Sequence, residues 1–187
     1  MIAIKILKYL LENKEPKNIL EISRATNTNY SNTYRNIQNM EEVNITNFGN
    51  TKRIEIIPKL TENLYIAEFE RKKELLKSEI FRNIARKIDK SKNPFLIVLV
   101  FGSSIKRLNP NDIDICVISN QETKLEEELA TLSYNIDLNI FTTEEFIEMI
   151  SLKTNNLGNE ILKNNIILKG IENYYEILKN VDQEIRG

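Results

Sequence analysis

The sequence contains no histidine and only one cysteine, Cys116. The absence of histidine excludes serine–histidine–aspartate and cysteine–histidine catalysis, and it excludes any metal site with histidine ligands. A single cysteine cannot form a disulfide within the chain, so we expect a reducing compartment. Cys116 itself is predicted to be a small core residue.

Long apolar segments are also absent. No apolar run approaches about 18 residues, the length that crosses a membrane, and no signal peptide is evident. Charged residues make up 28% of the 187 residues and apolar residues 41%, which is typical of a globular protein. We therefore expect a soluble, cytoplasmic protein of one or two domains with no membrane partner.

The charge is unevenly distributed along the chain. Residues 1–60 carry 9 basic and 6 acidic side chains, residues 61–93 again carry 9 and 6, and residues 94–187 carry 8 and 15. These segments contribute +3, +3 and −7 to the net charge of −1. A basic front half joined to an acidic back half indicates two modules with different partners, although chance variation among solvated faces gives the same pattern.

Residues 1–60 predict three helices followed by a β-hairpin. Apolar residues recur at helical spacing over residues 2–11, a second helix fits residues 18–25, and a third runs from Tyr30 or Ser31 to Glu42. Tyr30, Tyr34 and Ile37 are spaced by four and three residues, which predicts the apolar face of the third helix. Two alternating segments around Gly49-Asn50 then indicate the hairpin.

This order of elements resembles the winged helix-turn-helix family. The resemblance implies that the third helix enters the major groove of double-stranded DNA and that the hairpin, or wing, touches the backbone or minor groove. Basic side chains would meet phosphates, and Asn and Gln suit adenine edges. The candidate contacts are Asn29, Ser31, Asn32, Arg35 and Gln38 on the helix and Asn50, Lys52 and Arg53 on the wing. Protein contact or dimerisation is the alternative, because one arginine in the third helix gives only modest phosphate attraction.

Residues 61–90 contain neither proline nor glycine. A discontinuous apolar stripe predicts one long helix, or two helices with a break near Lys77-Ser78, and Thr61 can cap the start. We interpret residues 61–93 as a linker helix with a solvated face. A helix-mediated homodimer is the alternative, since winged helices pair to read two half-sites.

The apolar run from Phe95 to Phe101 predicts a buried strand that ends at Gly102-Ser103. Glycine allows the backbone to approach a ligand closely, and the amides and hydroxyls that follow can bind phosphate oxygens. A Gly-Ser pair after a strand is a weak signal by itself.

Aspartates recur in two further predicted strands. The alternation in NDIDICVIS places Asp112 and Asp114 on one face of a strand, and SYNIDLNIFT places Asp137 in a strand whose other face is apolar. Neighbouring carboxylates repel each other and lose hydration, so a hard cation such as Mg²⁺ is expected to compensate them. Three aspartates on two strands beside a glycine turn indicate a site for two metal ions.

With these residues in view, the segment from Phe95 to about Thr142 resembles the nucleotidyltransferase fold of the polymerase beta superfamily. It is most similar to the minimal nucleotidyltransferases of prokaryotes, which are often found near HEPN-domain partners. The resemblance implies that Gly102 and Ser103 hold a nucleoside triphosphate, with ATP as the expected nucleotide. It also implies that Asp112 and Asp114 bind two Mg²⁺ ions, and that Asp137 binds the catalytic ion and helps to deprotonate an acceptor hydroxyl.

The implied reaction transfers a nucleoside monophosphate to a hydroxyl, either a tyrosine of a partner protein or a nucleic acid end, and releases pyrophosphate. A HEPN-type partner would give the chain an antitoxin-like role. The sequence also departs from the family pattern. Eight residues separate Ser103 from Asp112, where about ten are usual in the family, and Ile105-Lys106-Arg107 replaces a small residue. The alternative is a DNA-binding transcriptional regulator whose degenerate transferase domain serves in nucleotide sensing or dimerisation.

The expected fold is mixed α+β or α/β, with three parts. Residues 1–60 form a winged helix-turn-helix domain, residues 61–93 form the linker helix, and residues 94–187 form a nucleotidyltransferase-like mixed sheet with flanking helices. Tyr174-Tyr175 near the end is predicted to pack in the interior, with base stacking as the alternative.

Overall fold

A computed structural model of the protein describes residues 2–49, 51–107, 110–121, 124–152 and 156–186, with side chains as far as residue 183. It shows an α+β protein with two β-sheets. The chain divides into two compact units, Met1–Glu70 and Arg71–Gly187. Within the ranges just given, none of the helices combines the length and apolar character needed to span a membrane.

The N-terminal unit consists of short helices and a three-stranded antiparallel sheet. Its elements are α1 (Ile2–Glu12), β1 (Lys17–Asn18), α2 (Ile19–Ala25), α3 (Tyr30–Gln38), β2 (Val43–Phe48), β3 (Thr51–Ile56) and the first part of α4 (Glu62–Leu75). The strand order is β1-β3-β2. The hairpin prediction is confirmed, and Gly49 makes the turn with a φ of +57°. The sequence did not predict β1, a two-residue strand that pairs with Arg53 and Ile54.

Asparagines set the helix boundaries of this unit. Asn18 caps α2 in a capping box with Glu21, and Asn29 caps α3 by accepting a hydrogen bond from the Asn32 amide. The third helix ends at Gln38 and not at Glu42 as predicted. Asn39 forms its C-cap, and the chain then turns so that Val43 can pair with Ile56.

The apolar face predicted for α3 is confirmed for Ile37 and is wrong for Tyr30 and Tyr34. The residues of α3 that face the interior are Thr33 and Ile37, both with 0% exposure, whereas Tyr30 and Tyr34 are 52% and 37% exposed. Thr33 can be buried because its hydroxyl lies 2.6 Å from the Thr28 hydroxyl and 3.0 Å from the Asn29 carbonyl oxygen. The two tyrosines therefore lie on a neighbouring stripe of the helix, which faces outward.

The C-terminal unit has a four-stranded sheet flanked by helices. Its elements are α5 (Glu79–Ile88), β4 (Ile97–Phe101), a 3₁₀ turn (Gly102–Lys106), β5 (Asp112–Ile118), α6 (Leu125–Ala130), β6 (Asn135–Phe141), α7 (Thr143–Ser151), α8 (Leu157–Lys163), β7 (Asn165–Lys169) and α9 (Ile171–Arg186). The strand order is β6-β5-β4-β7. The β5–β6 pair is parallel and the other pairs are antiparallel, so the sheet is mixed.

One face of this sheet packs against α5 and α6. The buried cluster on that face includes Val98, Val100, Ile113, Ile115 and Val117 from the strands and Phe81, Ile84, Ile88, Leu125 and Leu129 from the helices. Since side chains alternate along a strand, Asp112, Asp114 and Cys116 point to the opposite face, as predicted.

Segment 61–93 is divided differently from the expectation of a linker helix. It forms two helices, α4 and α5, which are separated at residues 76–78, close to the predicted break. The unit boundary falls within α4. The apolar stripe of α5 packs into the sheet core of the C-terminal unit, so this helix belongs to the fold and is not a solvated spacer.

Strand β4 begins at Ile97 and not at Phe95 as predicted. The Phe95 amide donates a hydrogen bond to the Asn93 side chain, and the Phe95 ring is 69% exposed. The local turn made by Asn93 therefore delays entry into the sheet.

The capping box at the start of α7 leads to a stability prediction. Thr142 and Glu145 form a capping box, in which the Thr142 hydroxyl accepts from the Glu145 amide and the Glu145 carboxylate accepts from the Thr142 amide. We expect Thr142→Ala to lower the free energy of unfolding of the C-terminal unit by about 1 kcal/mol. Hydrogen exchange of the strand amides of residues 97–118 measures this change.

Thr143→Ala is the matched control, because the Thr143 side chain makes no hydrogen bond to any described residue.

The bonds from Thr142 lower the pKa of Glu145. A lowered pKa stabilises the folded state above the ordinary value of 4.5, and this contribution is lost as the pH falls through the lowered pKa. The difference in free energy of unfolding between wild type and Thr142→Ala should therefore become smaller in acid. An equal loss in both variants would contradict the capping role.

Candidate functional site

The candidate site lies where the end of β4 meets β5. Phe101 pairs with Asp114 across the two strands, and Gly102 follows with a φ of +72°, a left-handed conformation that favours glycine. A Cβ atom added at Gly102 would lie 2.6 Å from the Asp114 Oδ2 atom. The turn after β4 therefore packs directly on the Asp114 carboxylate, and a side chain at position 102 would push that carboxylate away.

The other two predicted acids lie on the same face of the sheet. Asp114 is the register partner of Asp137 across the parallel β5–β6 pair, and Asp112 is the partner of Asn135. The Asn135 side chain donates a hydrogen bond of 2.5 Å to Asp112 Oδ1. The structure thus brings Asp114 and Asp137 side by side, while it ties Asp112 to a neutral amide one pleat away.

Burial and like charges both act on Asp114. The pKa of Asp114 is raised, first because burial removes the carboxyl group from water and then because Asp137, Glu160 and Asp112 carry the same charge nearby. Among the described residues, no lysine or arginine pairs with Asp114 or Asp137, and no side chain donates a hydrogen bond to either. Ionised carboxylates at this position are therefore not compensated by any residue that the structure describes.

Sequence reasoning missed Glu160. This residue lies on α8, more than 40 positions after Asp114, and no spacing pattern links it to the aspartates. Sequence reasoning also missed Asn164, which follows the same helix. Its side chain donates a hydrogen bond of 3.1 Å to the Gly102 carbonyl oxygen and so holds the turn from the side opposite Asp114.

The donor chemistry of the site fits a hard divalent cation, because aspartate oxygens are the ligands that Mg²⁺ prefers and their charges are otherwise unbalanced. The three aspartates do not converge, however. Across the described ranges, no group of three acidic or cysteine side chains is arranged to hold a metal ion. Asp114 and Asp137 are the adjacent pair that the structure offers, and one oxygen of Asp112 is engaged by Asn135.

The predicted phosphate turn is a 3₁₀ helix. The Ser103 side chain is exposed, whereas Ser104 is buried and donates a hydrogen bond of 3.0 Å to the Phe101 carbonyl oxygen. Lys106 and Arg107 are exposed at the end of the turn. Ser104 therefore stabilises the turn, and Ser103 is the hydroxyl that faces solvent.

Two predictions about packing residues are confirmed. Cys116 is fully buried, and burial raises the pKa of its thiol to about 12, so the thiol stays protonated at neutral pH. Tyr174 and Tyr175 are 1% and 4% exposed, and the Tyr174 hydroxyl accepts a hydrogen bond of 2.9 Å from Asn165.

The candidate contacts of the N-terminal unit lie on α3 and on the hairpin. Ser31, Asn32, Arg35 and Gln38 are exposed on α3, and Arg53 is exposed on β3. The Asn29 side chain is occupied as the helix cap, Lys52 is half-buried, and Asn50 lies outside the described residues.

Sequence reasoning missed the aromatic rings among these contacts. The Lys52 Nζ atom lies 5.3 Å from the centroid of the Tyr34 ring, and the Arg53 guanidinium lies 4.4 Å from that of Phe48. Phe48 is 63% exposed. The surface therefore combines cations with aromatic faces.

Comparisons of the chain with protein-family models, with curated proteins and with solved structures found no match. Any assignment of function must therefore come from the geometry and chemistry of these residues.

The crowded carboxylates lead to a stability prediction. Without divalent cations at neutral pH, Asp114→Asn should make the C-terminal unit more stable than wild type, because it removes a charge that is partly buried and lies near like charges. A raised pKa means that the folded state binds the proton more tightly, so wild type loses stability as the pH rises from the ordinary value of 3.8 through the raised pKa. The extra stability of Asp114→Asn over wild type should vanish below pH 3.8, where the carboxyl group is protonated in both states.

Thermal unfolding in a chelating buffer across this pH range measures the gain. Glu148→Gln removes the same charge from an exposed position in the middle of α7 and is the matched control. An Asp114→Asn protein that is no more stable than the control at neutral pH would show that neither burial nor the neighbouring acids raise the pKa of Asp114.

Proposed function

We propose that the C-terminal unit is a nucleotidyltransferase and that the N-terminal unit is a winged helix-turn-helix module that binds nucleic acid. The single observation that carries the transferase is the pair Asp114 and Asp137, which lies on neighbouring parallel strands with a glycine turn packed on one of its carboxylates. Acids that no described residue compensates, beside a glycine turn, have a use if the ligand is a metal-bound triphosphate.

The sheet topology supports this proposal. A strand leads into Gly102-Ser103, an antiparallel neighbour carries Asp112 and Asp114, and a parallel neighbour carries Asp137. This is the order of elements that the resemblance to the polymerase beta superfamily implies.

In the proposed site Asp112, Asp114 and Asp137 would hold two Mg²⁺ ions, which when bound would stabilise the charge on the phosphoryl group in transfer. The backbone at Gly102 and the Ser103 hydroxyl would hold oxygens of the triphosphate, for which ATP is the first nucleotide to test. The acceptor oxygen would form a bond to the α-phosphorus as the bond to pyrophosphate breaks, and Asp137 would take the acceptor's proton.

We propose as acceptor either a tyrosine of a partner protein or the end of a nucleic acid. A HEPN-type protein is the first partner to test. For the N-terminal unit, the exposed polar face of α3 with Arg35, and the hairpin with Lys52 and Arg53, would contact the phosphates and bases of DNA. The charge of +3 over residues 1–60 supports an anionic ligand.

A second candidate is a DNA-binding regulator with a degenerate transferase domain that senses nucleotides or mediates a homodimer. The hydrogen bond between Asn135 and Asp112 favours it, because it engages one oxygen of one of the three acids with a neutral amide.

The transferase proposal predicts that a nucleoside triphosphate raises the melting temperature only when Mg²⁺ is present, since a ligand that binds the folded state stabilises it by mass action. Asp137→Asn and Gly102→Ala should abolish this rise, the first by removing a metal ligand and the second by displacing the Asp114 carboxylate. Ser103→Ala should make this rise smaller, because the triphosphate would lose about 1 kcal/mol of binding free energy, the contribution of one hydrogen bond.

Glu148→Gln is the control in the melting experiment for the loss of one charge.

With an α-labelled triphosphate, wild type should label itself, the partner or a nucleic acid end, and Asp112→Asn should not. Full labelling by Asp112→Asn would refute the assignment of the acids. Triphosphate binding that needs no metal would place the ligand elsewhere, and metal-dependent binding without transfer would favour the sensor.

The DNA proposal predicts duplex affinity that falls steeply with salt, because basic side chains release counterions from phosphates. Arg35→Ala should weaken binding and reduce the slope of log affinity against log salt by about one. Lys92→Ala, which removes an exposed lysine of the other unit, is the control. A wild type with no duplex affinity at low salt would contradict the duplex contacts proposed here, and a wild type that binds neither duplex nor single-stranded DNA would contradict the nucleic-acid role.

A further inference from the structure

Two tyrosines of α3 form an exposed aromatic surface, which we call the tyrosine platform (Tyr30 and Tyr34). Their ring centroids lie 6.5 Å apart and their planes differ by 11°. The rings are 52% and 37% exposed. Single exposed aromatic residues are ordinary on protein surfaces, but two parallel rings one helical turn apart make a continuous apolar patch.

The surroundings of the platform are polar and cationic. Ser31, Arg35, Gln38 and Asn39 line an open concavity together with the two tyrosines, and none of these lining residues is acidic. The Lys52 Nζ atom lies 5.3 Å from the centroid of the Tyr34 ring. The concavity therefore offers aromatic faces, two positive charges and amide groups within one small area.

The hairpin repeats the combination of a ring with a cation. Phe48 is 63% exposed at the end of β2, and the Arg53 guanidinium lies over its ring. A ligand that matches both places has flat rings for the aromatic faces and negative charges for the cations. Nucleotides linked in a strand have both.

The exposed tyrosine rings favour a single strand over a duplex as the ligand. In a duplex the base faces stack on one another, and only the base edges are open in the grooves. Unpaired bases present their faces, and stacking on an aromatic side chain contributes about 1–3 kcal/mol per base. The tyrosine platform therefore gains most from a strand whose bases are unpaired.

We propose that the surface formed by α3 and the hairpin binds single-stranded nucleic acid, with unpaired bases stacked on Tyr34 and Tyr30 and phosphates held by Arg35, Lys52 and Arg53. This inference rests on the nucleic-acid role proposed above for the N-terminal unit and names the form of its ligand. The base edges would meet Gln38 and Asn39, which can both donate and accept hydrogen bonds.

Fluorescence anisotropy with the full chain tests the inference. The probes are a labelled oligothymidylate of about 16 nucleotides, which has little structure of its own, and a duplex of matched length at the same salt concentration. Tyr34→Ala should weaken binding of the single strand about tenfold, and Tyr30→Ala should weaken it in the same direction. Tyr34→Phe should bind nearly as well as wild type because it keeps the aromatic face.

Tyr65→Ala is the matched control, since Tyr65 is 39% exposed on α4. Thermal unfolding of each variant shows whether it folds, and Tyr34→Phe separates lost stacking from disturbed structure. The inference is overturned if wild type binds the duplex and not the single strand, or if both alanine variants bind like wild type. In those cases a loss of duplex affinity in Arg35→Ala would leave the proposed function standing. Failure of wild type to bind either probe at low salt would overturn both.

Discussion

The close contact between the Gly102 turn and the Asp114 carboxylate is the constraint on which the candidate site depends. A left-handed glycine allows the turn to lie on the central strand of the sheet, and Asn164 and Ser104 hold the same turn by its backbone. Asp114 is thereby half-buried and placed beside Asp137, which is exposed. The cost is one partly buried carboxylate next to like charges, and a protein retains such a group at a functional site when a ligand balances it.

The two units would balance the charge of their proposed anionic ligands in different ways. In the N-terminal unit the positive charges belong to the protein, on Arg35, Lys52 and Arg53. In the C-terminal unit the charges around Asp114 are negative, so an anionic ligand would have to bring cations with it. Added salt would weaken the first kind of binding by screening, whereas the second kind would respond to the concentration of divalent ions.

Local periodicity explains which parts of the structure could be predicted. A strand alternates with a period of two, so the faces of Asp112 and Asp114 followed directly from NDIDICVIS, and Gly49 marked the hairpin. A helix has several possible inward stripes. Tyr30 and Tyr34 were predicted to face inward because they are apolar and well spaced, but a hydrogen-bonded threonine, Thr33, occupies the interior. Glu160 and Asn164 could not be found in advance, since only tertiary packing brings them to residues so distant in sequence.

The position of Cys116 has a practical consequence. It is the only cysteine of the chain, it lies in the central strand of the C-terminal unit, and it is fully buried. A thiol reagent can therefore react only when that sheet opens. Where opening and closing are fast relative to the reaction, the labelling rate relative to a free thiol gives the free energy of the opening that exposes Cys116. The wild-type chain thus carries its own chemical reporter of the opening of this sheet.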